Sequence, residues 1–239
     1  MKIGLWNIDH AEYGTGSKRK QERYQFIVDY LISRNCHSYV ITEANSAITL
    51  PGFNAQFSEE SPFLRKSRFY GPPNCYHQVA LYSKETTRKC SIQEPINGLL
   101  CQFPASPLVE YLYGNAVTIK DRWSPVSTKK YTDRLKEQIA QIKLLDVKKT
   151  VIAGDFNLRI NWPATKSAHQ SIQVELAETG WVWPTREQTD SVQHVLHSPD
   201  ITSTIEMDHN VANRSPWDMP LSDHPFIEIS LSANAVTNV

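Results

Sequence analysis

Several polar residues of this 239-residue chain stand where short apolar runs end. Asn7 closes Leu5-Trp6-Asn7-Ile8, and Glu43 closes Tyr39-Val40-Ile41-Thr42-Glu43. Asp155 and Asn157 follow Val151-Ile152-Ala153-Gly154, and Asp223 and His224 stand in Leu221-Ser222-Asp223-His224-Pro225. Carboxylate and amide oxygens, completed by water, are the donor set of a hard divalent cation such as Mg²⁺ or Mn²⁺. A cation so held polarises a phosphoryl oxygen and neutralises charge on a leaving group. A neighbouring carboxylate or imidazole can then orient or deprotonate an attacking water. Taken singly, each residue also has a structural explanation: Asn7 as a turn cap, Glu43 as a solvated loop acid, Asp223-His224 as a surface pair. The chemistry requires that the strands share a rim on which the ends converge.

The elements that would build such a rim are legible. Strands are expected over residues 2–8, 38–42, 79–83, 113–119 and 150–153, then near 191–196, 203–207 and 226–231. Residues 17–33 predict a helix, because Tyr24, Ile27, Val28 and Leu31 recur on one face. Residues 128–145 predict a second, lined by Tyr131, Leu135, Ile139 and Ile142. A third is expected over 168–178, with Gly180 as its stop. Long irregular stretches are expected at 45–74 and 210–222, where function often resides. The alternation to the end favours one α/β domain over 1–239, with 232–239 as a frayed tail.

Composition narrows the class. Lys plus Arg and Asp plus Glu are 25 each, so the formal net charge is zero. That argues against a disordered tail, a polybasic membrane binder or a protein that coats nucleic acid. The zero hides local fields. Nine basic residues face four acidic ones over 120–149, five face two over 14–34, and one faces eight over 187–228. No leader-like start and no long apolar run are read, so a cytoplasmic protein with no membrane contact is expected. Cys36, Cys75, Cys90 and Cys101 form no Cys-x-x-Cys pair and are expected to be reduced thiols.

Taken in order, the motifs resemble the endonuclease/exonuclease/phosphatase superfamily. The matching pieces are Leu5-Trp6-Asn7-Ile8, Ile41-Thr42-Glu43, Ala80-Leu81-Tyr82-Ser83, Gly154-Asp155-Phe156-Asn157-Leu158-Arg159 and Ser222-Asp223-His224-Pro225. The resemblance implies a four-layer α/β/β/α sandwich, two mixed sheets flanked by helices, and metal-dependent phosphoester hydrolysis. Carried over, Glu43 would be the main ligand of Mg²⁺ or Mn²⁺, with Asn7 and Asp223 completing or supporting the site. Asp155 would orient or activate water, Asn157 would hold the scissile phosphate, and His224 would act as base or stabilise phosphoryl charge.

The chain departs from the pattern twice. Thr118 stands where the family usually has a histidine, with Lys120 or Arg122 as alternative sources of charge. Gln193 stands where an aspartate usually orients the final histidine, unless Asp190, Asp200 or Asp208 is the true partner of His224. Lys18, Arg19 and Lys20 follow the Asn7 corner and are expected to touch a phosphate backbone, with Arg159 and Thr118 also on substrate. Trp162 and Trp217 are candidates for base stacking, whereas Trp181 and Trp183 are expected to cover a sheet. His194 and His197, three apart in a strand, should face opposite sides and so form no zinc pair. The expected function is a monomeric Mg²⁺-dependent nuclease acting on DNA or RNA. Two alternatives stand beside it: a phosphatase or phosphodiesterase on a small phosphorylated molecule or lipid head group, and a catalytically degenerate binding protein.

Overall fold

A computed structural model describes residues 1–9, 18–60, 76–93, 96–117, 131–145, 148–159, 166–214 and 221–234. Thr118 and Trp162 lie outside the described residues, as do Cys75, Lys120, Arg122 and Trp217. One sheet is built from β1 (Lys2–Asn7), β2 (Ser38–Asn45), β3 (Asn54–Phe57), β4 (Tyr76–Ser83), β10 (Ile201–Asp208) and β11 (Phe226–Ala233). Its order is β10-β11-β1-β2-β4-β3. The other contains β5 (Arg88–Cys90), β6 (Gly98–Gln102), β7 (Tyr111–Ala116), β8 (Thr150–Asp155) and β9 (Gln193–His197), in chain order. Both are mixed, because β1 with β2 and β7 with β8 run parallel while their other neighbours run antiparallel.

Each parallel pair needs a crossover, and a helix lies in each. α1 (Lys18–Arg34) joins β1 to β2, and α2 (Tyr131–Lys143) lies between β7 and β8. α3 (Lys166–Thr179) follows β8 and stops at Gly180, whose φ of 77° is the left-handed conformation that ends helices.

Side chains alternate along the strands and so fill three separate apolar layers. Ile3, Leu5, Val40, Val79, Leu112, Val151, Ala153, Val195 and Ile227 form the layer between the two sheets. Trp6, Tyr39, Ile41, Ala80 and Phe226 face the other way and pack under Ile27, Val28 and Leu31 of α1. Tyr113, Ile152 and Leu196 do the same beneath Leu135, Ile139 and Ile142 of α2 and Ile172 and Leu176 of α3. The order helix, sheet, sheet, helix is the expected four-layer sandwich.

Three strands differ from expectation: β3 and β5, short elements at sheet edges, and β6, which lies inside its sheet between β5 and β7. β3, inside the stretch expected to be irregular, pairs with β4, and β5 pairs with β6. Three residues of Arg-Lys-Cys, or four half-exposed ones in β3, are too short to show a period. The second stretch begins as a 3₁₀ turn at His209–Arg214. The tail is ordered further than expected: Ser232 and Ala233 pair with Thr202 and Ile201, and Asn234 donates to the Pro199 carbonyl at 3.0 Å. The backbone ladder with β10 satisfies these polar groups and holds them.

Candidate active site

The period of two that builds the inter-sheet layer also aims the site. Ile3 and Leu5 of β1 point between the sheets, so Asn7, two further on, continues that row. On β8, Val151 and Ala153 lead in the same way to Asp155. On β9, Gln193 stands two residues before the inward-facing Val195. The polar residues thus cap one end of an apolar layer, and two sheets contribute to one site. Gly154 makes this possible, because any Cβ there would collide with the Asn115 backbone carbonyl on β7.

Asn7 joins the two sheets. Its Nδ2 donates to Glu43 Oε1 at 3.2 Å and to Asp155 Oδ2 at 2.8 Å. Its Oδ1 accepts from the Asp9 backbone N–H at 2.9 Å, which fixes the amide's orientation. Asp155 Oδ1 accepts from the Asn157 N–H at 2.8 Å, and the Asn157 side chain donates to the Val117 carbonyl. Glu43 and Asn157 have φ of 49° and 51°, the left-handed region that non-glycine residues seldom occupy. Such backbone costs on the order of 1–3 kcal/mol per residue and persists where its surroundings enforce it.

Burial shapes the electrostatics. It pushes the Glu43 carboxyl above the usual range, with the Asn7 hydrogen bond and His224 opposing and Asp9 and Asp223 adding to the rise. Asp155 is pushed up to about 6, again first by burial, with His224, the Asn7 amide and the Asn157 N–H opposing and Glu43 adding. Two carboxyls reluctant to ionise, and repelling each other, form a place where a proton or a cation is welcome.

The turn carrying Asp223 and His224 is sewn to β1. Ser222 Oγ donates to the Asn7 carbonyl at 2.5 Å and accepts from the His224 N–H at 3.0 Å. Trp6 Nε1 donates to the His224 carbonyl at 3.1 Å. Gln193 is fully buried; with its amide turned to satisfy both ends, it donates to the Pro225 carbonyl at 2.9 Å and accepts from the Asn7 N–H at 3.2 Å. Gln193 therefore grips the backbone on either side of the site, a different task from the expected orientation of the His224 ring. That ring places Nε2 3.2 Å from Asp223 Oδ1. The other acids weighed as its partner are engaged elsewhere: Asp190 with His209, Asp200 with the Lys149 N–H, Asp208 with the Tyr30 hydroxyl.

Arg23 of α1 also belongs to this frame, and the sequence showed it only as part of a basic stretch. Its guanidinium donates to the Leu221 carbonyl at 2.6 and 3.1 Å and to the Ile8 carbonyl at 3.1 Å. It thus holds together the segments that leave β1 and enter β11. No spacing rule flags a side chain whose partners are backbone carbonyls.

Of the residues expected on substrate, Lys18 is exposed at the start of α1, 3.8 Å from Glu22. Arg19 and Lys20 are on the same helical turn, and their side chains lie outside what is described. Arg159 is exposed just beyond the Asp155–Asn157 turn.

The donors present fit a hard cation. They are oxygens of Glu43 and the exposed Asp223; Asn7, expected to complete the set, turns its Nδ2 to the carboxyls and its Oδ1 to the Asp9 N–H, and so supports Glu43 rather than offering an oxygen. Thr42 Oγ1 on β2, opposite Asn7, is buried with no hydrogen-bond partner among the described residues. Among the described residues no set of three His, Cys, Asp or Glu side chains is placed to hold a metal ion. Mg²⁺ does not need such a set, since it is usually held by one or two carboxylates with water and substrate oxygens.

No protein-family model matches the sequence, and no curated protein matches it. Solved structures do match in three dimensions. An AP endonuclease from Archaeoglobus fulgidus superposes with a TM-score of 0.67 at 12% identity, over 98% of this chain and 100% of that one. An endonuclease/exonuclease/phosphatase from Beutenbergia cavernae gives 0.63 at 13%, over 98% and 71%. D. rerio TDP2 complexed with single strand DNA product gives 0.63 at 14%, over 98% and 99%. At these identities the likeness establishes the fold, and the chain has the endonuclease/exonuclease/phosphatase fold expected from its motifs. Among the described residues no helix is long and apolar enough to cross a membrane.

Proposed function

We propose that the chain is a phosphodiesterase that cleaves nucleic acid by attack of water, with Mg²⁺ or Mn²⁺ held at Glu43. The observation that carries this reading is the Asn7 amide lodged between the Glu43 and Asp155 carboxyls, at 3.2 and 2.8 Å, where two sheets meet. The fold shared with an AP endonuclease and with a TDP2 complexed with single strand DNA product supports nucleic acid as the substrate class.

Glu43 would hold the cation, with Asp223 at the rim as a further oxygen donor, and Asn7 keeps the Glu43 and Asp155 carboxyls in register. When bound, the cation supplies Lewis acidity to the phosphoryl oxygens. Asp155, whose carboxyl stands at about 6, can take up the proton that an attacking water releases. Asn157 spends one side-chain N–H on the Val117 carbonyl and keeps the other for a phosphoryl oxygen. His224, beside Asp223, shares the proton work or steadies the developing charge. Lys18, Arg19, Lys20 and Arg159 supply backbone phosphate contacts around this centre.

The test presents single- and double-stranded DNA, RNA and a panel of small phosphoesters to the purified protein, with Mg²⁺ and with chelator. Metal-dependent cleavage of nucleic acid is expected, reduced at least ~10³-fold in Glu43→Ala and in Asp155→Ala. Cleavage that survives chelator and both substitutions would sink the assignment. Turnover of small phosphoesters alone would move the substrate class to the phosphatases.

A further inference from the structure

We propose that His194 is a positioning residue: its Nε2–H tautomer clamps the Leu158 carbonyl and so sets the turn that presents Asp155 and Asn157. For its effect on turnover this rests on the hydrolase reading above; its geometry stands independently.

His194 is on β9, its neighbour Leu196 packs in the layer under α2 and α3, and the imidazole is fully buried there. Nε2 lies 2.8 Å from the Leu158 carbonyl oxygen. A carbonyl only accepts, so Nε2 carries the hydrogen. Nδ1 lies 3.2 Å from Thr185 Oγ1. That hydroxyl accepts from Trp183 Nε1–H at 3.1 Å and from the Val195 N–H at 3.0 Å, which occupies both of its lone pairs. Its own proton therefore points outward, to Nδ1 in preference to the Val195 carbonyl at 3.5 Å. Both ends of the ring give the same tautomer.

The ring plane is fixed too. Phe156 and Trp183 meet it edge-to-face, with centroids 6.0 and 5.2 Å away. Burial pulls the imidazole down to about 4, so Nδ1 remains an acceptor at ordinary pH. The turn is thus gripped at two points. Asp155 Oδ1 holds the Asn157 N–H on one side of the left-handed residue, and His194 holds Leu158 on the other. A displacement of about 1 Å in such a turn can cost ~10²-fold in rate.

The experiment compares His194→Gln with His194→Asn. Glutamine carries its amide nitrogen as many bonds from Cβ as Nε2 and can donate to Leu158; the asparagine amide reaches only to the position of Nδ1. His194→Gln is expected to keep kcat within about 3-fold, and His194→Asn to lose roughly 10–100-fold in kcat with KM little changed. The Asn157 amide should exchange about 10-fold faster in the asparagine variant and at the native rate in the glutamine variant. Nitrogen NMR of the unmutated protein should show His194 as the Nε2–H tautomer, a readout that needs neither variant to fold. An Nδ1–H tautomer, or equal kcat loss and equal Asn157 exchange in both variants, overturns the assignment. If no substrate is cleaved but tautomer and exchange behave as stated, the hydrolase reading fails and the role of His194 stands.

Discussion

Asp155 and His194 titrate across the same range with opposite consequences for folding. Asp155 stands at about 6 in the folded chain, above the ordinary carboxylate value of 3.8, because burial disfavours its charge. The native state then holds a proton that the unfolded chain has released, so this group's contribution falls as pH rises through that window. His194 stands at about 4 against 6.5, again through burial, with His169 adding to the fall. The unfolded chain binds that proton more readily, so this contribution is present above about 6.5 and is lost as pH falls towards 4. The bulk stability curve mixes the two. In chelator, denaturant unfolding of His194→Gln between pH 4.5 and 7 should show the acid-side loss reduced relative to the parent by on the order of 1–3 kcal/mol. An unchanged slope would mean that His194 is not held neutral. At this scale Asn7, Glu43, Asp155 and Asn157 could be picked out as candidates because they follow apolar runs, and Asp223 and His224 because they stand just ahead of one. Gln193 was misjudged because its partners, Asn7 and Pro225, belong to the opposite sheet, and one strand's sequence carries no mark of that neighbour.

Among the elements, α1 does more than cover a sheet. Ile27, Val28 and Leu31 bury its apolar face as their spacing predicts, while Arg23 reaches past that face to the Ile8 and Leu221 carbonyls. Burial disfavours the guanidinium's charge, and Asp9 and Asp223 partly compensate. Arg23→Ala leaves two carbonyls short of a charged donor and should cost about 1–3 kcal/mol in thermal unfolding. It should also lower kcat, since the Asn7 and Asp223 segments lose their common tie. Arg23→Lys, with a single point of donation in place of the planar fork, should recover part of the stability and less of the rate. The helices and most core strands were readable because packing imposes a period on them; β6, inside its sheet between β5 and β7, was missed because its buried run Gly98-Leu99-Leu100-Cys101 shows no alternation. β3 and β5 were not, because a strand of three or four residues at an edge is specified by the neighbour it pairs with.

Across the whole molecule, the formal charge of zero is a sum of basic stretches in the first two-thirds and an acidic one near the end. That balance disfavours gathering a long polyanion by charge alone, and on the proposed function affinity would come from few phosphates near the site. A plot of log affinity for nucleic acid against log salt should therefore be shallow, with a slope of roughly −3. A slope near −8 would indicate a broad basic track and a different mode of binding.

The strand order has a consequence for what the last residues supply. The five-stranded sheet is contiguous in the chain, from Arg88 to His197. The six-stranded one is closed by β11, which completes the open side of β1 only after residue 226. Asp223 and His224 arrive just ahead of that strand. In chain order Asn7, Glu43 and Asp155 all precede the turn and strand that finish the centre. Loss of the chain from residue 222 onward would take away Asp223, His224 and the strand that lies between β1 and β10, leaving β1 with a raw edge and β10 without its partner.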